Sequence, residues 1–262
     1  MISQILGQYQ LKAQGGAVMW YATMLMVTAS VMVIGAALSA AIVDGNIPLL
    51  AFAIPALFFL GSGGIAVWLL TIGLVGFGAL MPYQPIAISL SLWMILPALV
   101  LITGARRNWQ VSLLVVSVVI AMECGVLALQ GDQKLGGAMS YTLLQILCVI
   151  TVWVSTYFWK PIKKLSWWPV LLILALLAGG WTQGALLAFC GSVLAITLQE
   201  LQRVGGEAKG DKLSVILPAI AFATIVVFPQ FSVPNPVFVA WLLSLTIAWL
   251  GDYLLNAENE EE

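Results

Sequence analysis

Glu123 is the residue whose placement most demands a chemical explanation. It lies well inside the apolar run Val111–Gln130, far from either end. A carboxylate at that depth is costly unless a proton, a cation, a partner or water relieves it. Two readings follow. In one, Glu123 is a proton- or cation-coupling site or a polar contact in a pore. In the other, it is a protonated acid bonded to a neighbouring helix.

Two glycine-rich breaks are the next candidates, Gly61-Ser62-Gly63-Gly64 and Gly179-Gly180-Trp181-Thr182-Gln183-Gly184. Unwound backbone at membrane depth must line a cavity or be buried in protein. There Ser62, Gly63, Thr182, Gln183 and Gly184 are solute- or ion-site candidates, with Thr182 and Gln183 offering hydrogen bonds. The alternative is a tight turn at the membrane surface joining two short spans. No strand or GK[ST] pattern accompanies these glycines, so they are not nucleotide-binding loops. Pro97 and Pro218 fall inside apolar runs and are expected to kink their helices. Gln145 is expected to bond between helices.

Other chemistries lack their residues. There is no histidine among the 262 residues, which removes histidine metal sites and general bases. Cys124, Cys148 and Cys190 sit in apolar runs without CxxC spacing and read as small hydrophobes. No metal site, cofactor or catalytic residue is expected. A net charge of −1 leaves no basic patch for nucleic acid.

The elements that must position Glu123 are membrane helices. The chain is 62% hydrophobic and only 8% charged, and its mean hydropathy is +1.06. Soluble domains are about a quarter charged, so lipid is the matching solvent. Long unbroken apolar runs favour helices over a barrel. The expected fold class is an all-α polytopic integral membrane protein, in a bilayer such as the bacterial inner membrane. The lipid bilayer is then its first partner.

Residues 1–14 read as an amphipathic lead-in rather than a cleaved signal. The apolar segments are then Ala17–Val43, Pro48–Leu60, Ile65–Met81, Ile86–Thr103 and Val111–Gln130. The second half repeats the list with Ala138–Trp159, Trp168–Ala178, Ala185–Gln199, Leu213–Phe228 and Pro236–Leu255. Residues 256–262 form an acidic tail.

The halves align at an offset of 121. Gly15-Gly16-Ala17 falls on Gly136-Gly137-Ala138, Pro48 on Pro169, and Gly63 on Gly184. Ile95-Leu96-Pro97-Ala98 falls on Ile216-Leu217-Pro218-Ala219. After one lost residue, Gly131-Asp132 falls on Gly251-Asp252. Gly and Pro fix where helices break, so related halves agree there first. The expected repeats are residues 15–132 and 133–255.

Charge chooses between parallel and inverted halves. If each glycine-broken stretch crosses once, the ten Lys and Arg residues divide five against five. If each turns back, nine share one side and only Lys134 lies opposite. The positive-inside rule favours the second, with inverted repeats and both termini cytoplasmic. Ten spans satisfy this parity, as do eight spans plus two re-entrant hairpins. In topology alone the ten-span form resembles the drug/metabolite transporter group, and the hairpin form is similar in outline to urea-channel folds.

The functional expectation is a transporter or channel for a small solute, with a mid-membrane site between the halves. The alternative is a non-catalytic scaffold or assembly subunit of an inner-membrane complex, with Gly73, Gly76 and Gly78 as a contact face for other subunits. An enzyme on lipid-linked substrates is a lesser alternative, because the loops offer Arg106 with Arg107 and Glu200 with Arg203 but no metal-type cluster.

Overall fold

The computed structural model describes residues 24, 31, 47–60, 64–103, 109–158, 167–205, 220, 221, 223, 224 and 233–258. The lead-in, nearly all of Ala17–Val43 and most of Leu213–Phe228 lie outside them, as do Ser62, Gly63 and Pro218. The described residues are helical, with no strand among them. The helices are α1 Leu49–Leu57, α2 Ile65–Leu80, α3 Ile86–Ser91, α4 Ile95–Thr103, α5 Trp109–Gly131, α6 Met139–Tyr157, α7 Pro169–Ala178, α8 Thr182–Gly205 and α9 Asn235–Glu258. Two stretches, Ile65–Tyr83 and Trp109–Gly131, are long and apolar enough to cross a membrane. α8 and α9 run past the expected boundaries, and α9 takes in the start of the acidic tail.

Small residues set the helix pairings. A Cβ on Gly73 would lie 2.7 Å from Val152 Cγ2, and one on Gly76 would lie 2.9 Å from Cys148 Sγ. Farther along, Tyr83 stacks on Tyr141 at 5.2 Å between ring centroids. The partner number falls as α2 advances, so α2 and α6 are antiparallel. Gly78 accepts the Phe52 ring of α1. A single continuous helix would hold residues 52 and 78 roughly 39 Å apart; here they touch, so α1 and α2 form a hairpin. Absent side chains let backbones approach this closely. These three glycines are covered within the chain and do not present the partner face expected of them.

α1 and α8 run parallel. Pro48 sits against Gly184 and Pro55 against Gly191, at 2.9 and 3.1 Å from a Cβ placed there. Seven residues separate each pair, two helical turns on one face. Pro55 is accommodated inside α1 because the facing glycine leaves room for its ring.

α5 and α9 are antiparallel. Gly251 meets Val115, Leu101 and Val111. Val115 and Val119 share a core cluster with Ala248, while Val126 shares one with Val237 and Ala240. The start of α5 therefore faces the end of α9.

These registers define two ends of the bundle. One carries Pro48, Tyr83, Gly131, Met139 and Thr182; the other carries Gly64 and the end of α6. The segment 86–103 has the expected length but is not one helix. It tightens into a 3-10 turn at Leu92–Met94. Pro97 follows and has no N–H to offer the Trp93 carbonyl four residues back, which explains the break.

Candidate functional site

Glu123 stands on the buried seam of α5. Ser112, Val115, Val119, Glu123, Val126 and Gln130 are its buried residues, at spacings of three or four that mark one helix face. The opposite face leaves Leu113, Leu114 and Ile120 exposed. Glu123 is 9% exposed. Its Oε2 is buried without a hydrogen-bond partner among the described residues. By helical rise it lies about 12 Å from the Gly131 end.

The register of α5 and α9 identifies what faces it. Two turns along α5 from Val115 is Glu123; two turns back along α9 from Gly251 is Ser244. Ala240 and Ala248 flank Ser244 on α9, as Val126 and Val119 flank Glu123 on α5. Ser244 is buried, whereas its neighbour Leu243 is exposed. Positions 243 and 244 are also the ones that the expected alignment of the halves pairs with Glu123. The carboxyl thus sits where α5 and α9 meet antiparallel, level with Ser244.

Most other buried polar groups have partners. Gln84 Nε2 donates to the Ala138 carbonyl at 2.7 Å and to Thr142 Oγ1 at 2.9 Å. Thr142 Oγ1 donates to Gln130 Oε1 at 2.7 Å. Gln130 Nε2 donates to Gln84 Oε1 at 3.1 Å and to the Gly136 carbonyl at 3.2 Å. This closed ring ties α5, α6 and the start of α3 to the 131–138 turn. Ser89 and Gln145 bond each other across α3 and α6, as expected for Gln145. Thr71, Ser192 and Thr197 donate to carbonyls four residues back on their own helices, which satisfies hydroxyls in apolar surroundings. Set against these, Glu123 Oε2 and Ser112 Oγ are open.

The glycine breaks do not join Glu123. Gly64 is exposed, with nothing within 4 Å of a Cβ placed on it. Its register on α2 puts it beyond Tyr157 at the end of α6. Thr182, Gln183 and Gly184 begin α8 at the opposite end, level with Pro48. Thr182 is exposed, Gln183 is half-buried, and Gly184 is filled by the Pro48 ring. Gly180 makes the tight turn there with φ +82°, a conformation glycine adopts without cost. The mid-membrane site expected between the two breaks is therefore not formed by Thr182, Gln183 and Gly184. Ser62 and Gly63 lie outside the described residues.

Comparison with protein-family models, with curated proteins and with solved structures finds no match. The site therefore stands on its geometry alone.

Of the sequence candidates, Glu123 keeps its prominence and Pro97 its break. Sequence reasoning missed the Gln84–Gln130–Thr142 ring. Its signal was a glutamine at each of two helix ends, Gln84 and Gln130, where a polar residue ordinarily reads as an unremarkable interfacial one. Cys124 was also misread in part. It is exposed on the outer face of α5, while Cys190 is buried.

Proposed function

We propose that the chain is a multi-pass membrane protein of a bilayer such as the bacterial inner membrane, and that it transports a small solute. Its plan is ten spans in two inverted halves with both termini cytoplasmic, and Glu123 is the coupling carboxyl. The observation that carries the reading is the position of Glu123. It is buried, open at one oxygen, and level with Ser244 on the seam of two antiparallel helices, which we read as equivalents in a duplicated chain.

Inverted duplication predicts this seam. Equivalent helices beside an in-plane two-fold axis must run oppositely, and transport sites of duplicated folds lie at that interface. Hairpin formation by α1 and α2 favours the nine-against-one division of charge. The opposite placement of Gly64 and Gly180 favours ten spans over re-entrant hairpins, because each turn lies at an end of the bundle. Lys134 then marks the outer side. The exposed leucines of α5 suit lipid, where apolar surface carries no cost. The scaffold reading loses the glycine face suggested as its contact, since Gly73, Gly76 and Gly78 meet α1 and α6 inside the chain.

The test is uptake by proteoliposomes of a panel of labelled amines, amino acids and nucleosides. We expect at least one solute to be accumulated by the wild type and not by a folded Glu123→Gln variant. Equal accumulation by that variant would remove Glu123 from the mechanism.

A further inference from the structure

We infer that the Glu123 site takes up a single proton rather than a metal cation. This deepens the transport reading, on which it rests, by naming its coupling ion.

The inference comes from counting donors around the carboxyl. A hard divalent cation takes about six or more oxygen ligands, drawn from carboxylates, carbonyls and water. At the level of Glu123 the described side chains offer one carboxylate and the Ser244 hydroxyl. Backbone carbonyls do not make up the number. α5 and α9 run unbroken through this level, so their carbonyls are held in helical bonds. Pro97 deprives the Trp93 carbonyl of its helical donor, but the Ile95 N–H donates to it. Transporters that coordinate cations in mid-membrane use unwound helices for the purpose, and no such unwinding occurs at Glu123. A proton needs only one lone pair, and Oε2 has it free.

Neighbouring charges do not alter the count. α5 is packed by α4, α6 and α9. Among their described side chains, α4 has no titratable group. α6 has Tyr141, which stacks on Tyr83 at the Gln84 end, and Cys148, which faces Gly76. α9 has Tyr253, exposed near its far end. Asp132 and Lys134 pair with each other at 3.1 Å outside the helix. No described cation approaches Glu123, and on this reading a proton neutralises it. The step is an acid–base exchange: an O–H bond forms on Oε2 as a proton arrives from one side, and breaks as it leaves to the other.

Infrared difference spectroscopy of the purified protein in lipid nanodiscs tests this without any solute. We expect a carboxylic-acid C=O band that titrates with pH, disappears in Glu123→Gln, and shifts in frequency in Glu123→Asp. Adding magnesium or calcium at fixed pH, or replacing choline by sodium or potassium, should leave it unchanged. Loss of the band on adding any of these cations would overturn the proposal, as would its persistence in Glu123→Gln. The band without uptake of any solute would sustain the proton site and sink the transport reading.

Discussion

Replacing Glu123 with leucine should make the protein more stable while abolishing the transport proposed for it. Glu123 is 9% exposed and has an oxygen with no partner among the described residues. Its neighbours on the seam are Val119, Val126, Ala240 and Ala248, which lose nothing by facing an aliphatic side chain. On insertion scales an acidic residue near a helix centre costs about 2.5–3.5 kcal/mol, whereas leucine contributes roughly −0.3 to −0.6 kcal/mol. The full difference of about 3–4 kcal/mol is an upper bound, because a protonated acid is less costly than a charged one. A gain of about 1–3 kcal/mol is the expected range, similar to that seen when buried ionic groups are replaced by apolar ones. The assay is reversible unfolding in mixed micelles at fixed pH, wild type against Glu123→Leu. A loss of more than about 1 kcal/mol would refute the reasoning. Removing a bonded buried polar group costs about that much, so such a loss would make Glu123 a structural contact and not an open site.

Thr142→Val keeps the shape of a side chain that donates to Gln130 and accepts from Gln84, and should lose about 1–2 kcal/mol in the same unfolding assay. Thr151→Val, whose hydroxyl serves only its own helix on an exposed face, should change stability by less than about 0.5 kcal/mol; equal effects would dismiss the polar ring as a fastening. Cysteines at positions 115 and 251 should form an intramolecular disulfide on mild oxidation, since a Cβ on Gly251 falls 2.9 Å from Val115 Cγ2. Cysteines at 115 and 237 should not, and cross-linking of that second pair instead would mean that α5 and α9 run parallel.

Much of the architecture was legible in the amino-acid order. Apolar runs bounded by glycine, proline and charge placed the described helices to within about six residues, because burying or solvating a backbone is decided locally. The interruption near Pro97 was readable for the same reason: a missing N–H acts on the carbonyl four residues back, wherever the helix sits. Glu123 announced itself by its depth within Val111–Gln130. The sequence could not say that Gly73, Gly76 and Gly78 face α1 and α6 rather than another subunit, since a small residue marks close approach without naming what approaches. Nor could it place Thr182, Gln183 and Gly184 at the end of the bundle. That depended on which helices lie side by side and in which direction, and contacts between residues over a hundred positions apart set it. Pairing of Val115 with Gly251 fixed the register that puts Glu123 level with Ser244. Local preference determines where helices begin and stop; only their mutual packing decides which buried group is left open.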